Sequence, residues 1–151
     1  MGIGSVPFLT KKPLINFEIM NEKIERIYTH WLEMSNKDFE TMQHLYQSGD
    51  MHWSLFLGHL VLEKLFKAYL VKQTNNDAPF THDLSRLAHA ASLDFSTEHL
   101  DWLDTITTFN INARYDDYKQ AFYKKCTPEF TEDWLAKIKT LQQWIKEKLK
   151  T

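Results

Sequence analysis

A chain of 151 residues that is 43% hydrophobic and 14% aromatic, with only 4 glycines and 4 prolines, lacks both the turn density of an all-β protein and the bias of a disordered one. It is long enough for one domain that buries about two thirds of its unfolded surface without disulfides or metal. A formal net charge of −2 argues against a broadly basic surface, so any nucleic-acid-type contact has to come from a confined basic cluster.

Residues 1–20 carry Gly2, Gly4, Pro7 and Pro13 and read as a flexible N-terminal arm, with Phe8, Leu14, Ile15 and Phe17 able to pin it to the body. Lys11, Lys12 and Pro13 interrupt the place where a signal peptide would be apolar. From residue 21 to 151 a single helical domain is expected. Ile24, Ile27, Trp31, Met34, Phe39, Met42 and Tyr46 step at threes and fours, predicting a long amphipathic helix over residues 21–47 that could break only at Ser35-Asn36. Ser48-Gly49-Asp50 ends it, with Gly49 as the left-handed cap. The link is short enough to force an antiparallel hairpin with the next helix.

That next helix, residues 54–72, is apolar on most of its circumference, as expected for a rod packed on several sides. Glu63, Lys64 and Lys67 keep it from being a membrane span. Thr74 to Pro79 is turn chemistry. Thr81 is the expected cap of a short helix over residues 82–91, and Ser96 or Thr97 caps another over residues 98–109. Residues 110–125 look irregular, aromatic and charged. Thr127 and Pro128 then open a last helix with Phe130, Trp134, Leu135, Ile138, Leu141, Trp144, Ile145 and Leu149 as its apolar stripe. The prediction is an all-α up-and-down bundle of about five helices.

Two stretches carry candidate chemistry. His59, Glu63 and Lys67 recur every four residues on the central helix, with Lys64 beside Glu63. They form either its solvated face, with a weak Glu63–Lys67 pair, or one wall of a polar groove. Residues 110–119 concentrate Arg114, Tyr115, Asp116, Asp117 and Tyr118. This is either an ordered turn in which Arg114 pairs with Asp116 or Asp117, or a site in which the guanidinium fork clamps a phosphate or carboxylate. The seven histidines show no metal-ligand spacing, and no phosphate loop or nucleophile elbow is present, so no metal and no cofactor are expected. In Thr81-His82-Asp83-Leu84, the flanking residues can serve the helix start while His82 stays free. Cys126, the only cysteine, rules out an intrachain disulfide and suggests a reducing, cytoplasmic setting.

In order, these features resemble the HEPN domain family. The matching pieces are Trp31, Asp38 and Phe39 leading to Tyr46-Gln47-Ser48-Gly49-Asp50, the Glu63-Lys64-Leu65-Phe66-Lys67-Ala68 run, Thr81-His82-Asp83-Leu84, and Ala113-Arg114-Tyr115. The resemblance spans residues 30–150. It implies a homodimeric helical bundle, often paired with a minimal nucleotidyltransferase in a toxin–antitoxin-type system and able to bind a nucleotide or RNA. Many such proteins are metal-independent RNases with an arginine followed after four to six residues by a histidine. Here Arg114 is followed at those places by Lys119, Gln120 and Ala121. No imidazole stands there to exchange a proton near neutral pH. The expected protein is therefore a non-catalytic, ligand- or partner-binding member whose site includes Arg114, Lys64, Lys67, Glu63, Tyr115, Asp116, Asp117, His59 and His82. The alternatives are an RNase in which His59 or His82 enters the Arg114 site, and a purely structural dimeric interaction module.

Overall fold

A computed structural model describes residues 5–151, with side chains from Leu14 onward. Six helices follow one another: α1 (Ser5–Gln47), α2 (Met51–Thr74), α3 (Leu84–Ala90), α4 (Thr97–Arg114), α5 (Asp116–Lys125) and α6 (Pro128–Leu149). All regular structure among the described residues is helical.

The α1–α2 hairpin closes as its sequence dictates. Gly49 takes φ +87°, its amide donates to the Tyr46 carbonyl at 3.1 Å, and the Asp50 amide reaches the Leu45 carbonyl at 2.8 Å. That pair of bonds is the Schellman motif, which satisfies carbonyls the helix end would otherwise leave open. Two small hydroxyls then fasten the antiparallel helices: Ser54 Oγ donates to the Met42 carbonyl and Ser35 Oγ to the Val61 carbonyl, each at 2.8 Å. Ser35 does not break α1. Its hydroxyl is fully buried in this bond, and the helix runs through.

α2 touches all five other helices. Leu55, Val61, Leu62, Leu65, Phe66, Ala68 and Val71 have no exposed surface, so its apolar faces are spent on α1, α4, α6 and the α3 turn. Gly58 marks the tightest approach: a Cβ there would lie 2.5 Å from Ile138 Cδ1 on α6 and 3.3 Å from Met42 Sδ on α1. α6 is held at its start by Thr127, whose Oγ1 accepts from the Phe130 amide at 3.2 Å, with Pro128 in the first turn. Trp102, Trp134 and Trp144 are half-buried against the core. Trp144 stacks on Phe95 at 4.4 Å and Trp134 meets Phe109 edge-on at 5.5 Å. Burial pushes the Cys126 thiol, at the α5–α6 joint, up to about 12.

Three boundaries differ from expectation. Residues 5–20, anticipated as a flexible arm, continue α1, and from Leu14 onward no glycine or proline opposes the helix. Leu14, Ile15 and Phe17 do not pin this segment to the body; they are 59%, 53% and 62% exposed. Residues 1–4, and the side chain of Phe8, lie outside the described part. The short helix starts at Leu84, later than predicted, because Asp83 is its cap and accepts from the Arg86 amide at 3.1 Å. Thr81 Oγ1 accepts from the Asp83 amide instead. Finally, residues 110–125 are helical. α4 runs on to Arg114, Tyr115 breaks it with an extended φ/ψ of −91°/130°, and α5 begins at once with two acids in its first turn and two lysines in its last.

Candidate functional site

The α2 stripe is buried. His59, Glu63 and Lys67 are 0%, 4% and 6% exposed, so the solvated-face reading is replaced by an internal polar network. Glu63 is its centre. One carboxylate oxygen accepts from Lys67 Nζ at 3.2 Å and the other from His82 Nδ1 at 2.7 Å. A carboxylate withdrawn from water is stable only when both oxygens are matched in this way.

His59 Nε2 lies 2.8 Å from the His82 carbonyl and 3.9 Å from Glu63. A carbonyl only accepts, so Nε2 carries the proton, and the buried Nδ1 is left as a lone pair with no partner. Burial holds His59 below the ordinary histidine range, and the charges of His82 and Arg114 lower it further, outweighing the His82 carbonyl and Glu63. The imidazole is therefore neutral. His82 is more open: its side chain is 65% exposed, with Nδ1 held by Glu63 at 2.7 Å.

Lys64 leaves this group. Its ammonium reaches across the hairpin to Asp38 on α1 at 2.5 Å and is neutralised there. Lys67 stays, with its ammonium 5.2 Å above the Trp31 ring.

Arg114 does not pair with Asp116 or Asp117. Its Nε donates to the Asn110 carbonyl at 3.0 Å, and the guanidinium lies 5.6 Å from the rings of both Phe56 and Tyr115. Asp116 and Asp117 instead occupy the first turn of α5, where carboxylates complement the helix dipole. Both terminal amino groups of Arg114 thus lack a protein acceptor among the described residues. The Phe56 contact places the guanidinium beside α2, one turn before His59. The structure joins His59, His82, Glu63 and Lys67 in one network and sets Arg114 and Tyr115 apart from it, with Arg114 against Phe56 about one turn earlier on α2. It turns Lys64, Asp116 and Asp117 to other uses.

Beyond Lys67 opens a cleft of about 550 Å³ between α1 and the α2–α3 linker. Ile27 and Trp31 line it from α1 together with Lys23, Arg26 and His30, and Phe80 lines it from the linker together with Asp77. Phe80 is wholly exposed. Sequence reading missed this feature, although the signals were present: three basic side chains at i, i+3 and i+7, and a phenylalanine stranded in a polar linker.

The architecture defines an antiparallel helical bundle built around one central helix. The chain belongs to the HEPN domain family, which matches residues 28–149. Its fold is similar to that of TT1696 from Thermus thermophilus, with a TM-score of 0.68 and 19% identity over 80% of this chain and 97% of that one. No curated protein matches it.

Proposed function

We propose that this HEPN chain is a binding module for a nucleotide-like or nucleic-acid-like anion, with Arg114 as its principal cation. The observation that supports this best is Arg114 itself, an exposed guanidinium stacked on Phe56 and Tyr115 with both terminal amino groups unspent. Such a fork binds two phosphate oxygens at once, and neighbouring aromatic faces accept a base. The cleft beside Lys67 adds Trp31 and Phe80 as stacking surfaces and Lys23 and Arg26 as further cations. Isothermal titration with mononucleotides and short single-stranded RNA tests the reading. Arg114→Ala should weaken binding by about tenfold, in line with loss of a charge-assisted pair. Absence of any heat or thermal shift at millimolar nucleotide removes it.

The proposal includes assembly. Two copies associate, and the biological partner is a minimal nucleotidyltransferase in a toxin–antitoxin-type pair. A monomer mass by light scattering at tens of micromolar chain argues against the first. Failure of a nucleotidyltransferase encoded beside this chain to co-purify argues against the second.

A specific observation favours one other reading. His82 is exposed and oriented by a buried carboxylate, the arrangement a general acid/base needs. If the chain is an RNase after all, His82 supplies the imidazole, since His59 is buried and its Nε2 is committed to a carbonyl. RNA cleavage unchanged in both His82→Ala and Arg114→Ala would exclude it.

A further inference from the structure

The start of α2 carries a second feature that the Arg114 site does not use. A cleft of about 360 Å³ opens between the first turn of α2 and α5, lined by His52, Trp53, Lys119, Gln120 and Tyr123. His52 is only 7% exposed, yet neither ring nitrogen has a hydrogen-bond partner, and Nδ1 is sealed from solvent. Burial, aided by the Lys119 charge, holds this imidazole below its ordinary range and therefore neutral, against an opposing pull from Asp50. A sealed Nδ1 with no acceptor disfavours a proton there, because an unpaired buried N–H is the costlier orphan. The proton sits on Nε2, the ring nitrogen that is not sealed off.

The other polar groups of the lining can donate as well. The Lys119 ammonium lies 5.0 Å above the Trp53 ring and has no carboxylate within ion-pairing distance among the described residues. Gln120 contributes an amide and Tyr123 a phenol, and Tyr123 meets His52 edge-on at 5.3 Å. No carboxylate lines the cleft. The side chain of Asp50, at the head of α2, makes no cap bond and is held by Ser48 Oγ at 2.8 Å, so the first-turn amides of α2 are left uncapped by it. Uncapped amides at the positive end of a 24-residue helix favour an anion.

We infer that this cleft is a separate binding site for a small oxyanion, phosphate or carboxylate, carried on a flat apolar group. The oxyanion takes its hydrogen bonds from Lys119, His52 Nε2 and Tyr123, and the flat group lies against Trp53. Arg114, stacked on Phe56 and Tyr115, is no part of the lining.

The test is an NMR titration of the intact chain with phenyl phosphate, benzoate and neutral benzyl alcohol, following the His52 ring and the Trp53 indole N–H. Saturable shifts with one or both anions are expected, with little response to benzyl alcohol. The stronger of the two anions identifies the headgroup. Lys119→Gln, an exchange on the surface of α5, should weaken anion binding about tenfold, as loss of a charge-assisted bond would. Lys119→Arg should retain most of it, and Arg114→Ala should leave it within twofold. The inference is overturned if neither anion produces shifts up to about 20 mM, if benzyl alcohol shifts the same signals as strongly, or if Lys119→Gln binds as before. An equal loss in Arg114→Ala would make this cleft part of the Arg114 site and overturn its separateness.

Discussion

Glu63 shows how one side chain can govern a site it barely exposes. It neutralises Lys67 and orients His82, so removing it strands a cation that is itself only 6% exposed. Breaking a buried pair from one side costs about 3–5 kcal/mol. Glu63→Ala should therefore lower the denaturation free energy by an amount in that range, measured in urea, whereas Glu63→Leu combined with Lys67→Met should recover most of it. A double variant as unstable as the single one would show that the pair was not the cause. His59 adds a pH dependence. Its folded pKa lies below the ordinary histidine value of 6.5, so the unfolded chain binds the proton more readily. The stabilising contribution is full above pH 6.5 and is lost as pH falls from there toward the folded pKa. His52 shifts in the same direction and reinforces the trend. Melting temperature should drop between about pH 7.5 and 5.5, and the slope should flatten in a His52→Asn/His59→Gln variant that remains folded. A flat profile in the parent chain would contradict both shifts.

At the level of elements, Gly58 sets how closely α2 can approach its neighbours. Ile138 has no exposed surface into which it could retreat, so the first added carbon must displace packed side chains. Gly58→Val should cost about 1–3 kcal/mol by overpacking, seen as a lower midpoint in thermal denaturation. An unchanged midpoint would mean that the α2–α6 contact is looser than 2.5 Å implies. Helix periodicity, the glycine cap and the Thr127-Pro128 start were legible in the sequence because each follows from local backbone chemistry. α5 was not. Phe122 is its one buried residue, too few to print a period, and its polar density imitates a loop. The choice between Thr81 and Asp83 as cap was equally hidden, since both side chains can accept from a nearby amide and only tertiary placement decides. For the site, residue types were readable but partners were not. Nothing local in the sequence says that Lys64 turns to Asp38, 26 positions earlier, while Lys67 turns to Glu63.

For the molecule as a whole, one long hairpin supplies the frame, and the four shorter helices close over α2. No helix among the described residues is long and apolar enough to cross a membrane. The candidate site residues gather along one edge of α2, from Trp53 through Phe56 and His59 to Glu63 and Lys67, with each partner segment arriving from a different part of the chain. The single thiol, Cys126, is buried where α5 hands over to α6. With its pKa pushed up to about 12 and its sulfur covered, it should be almost inert to a thiol reagent while the bundle is closed. Native protein should react with dithionitrobenzoate far more slowly than urea-unfolded protein, and prompt full labelling at about pH 8 would contradict that. The same residue is thus a clock already fitted to the chain. Its labelling rate in native buffer counts how often the α5–α6 corner lifts, and comparing that rate with the global unfolding rate would reveal whether that corner breathes alone or only with the whole bundle.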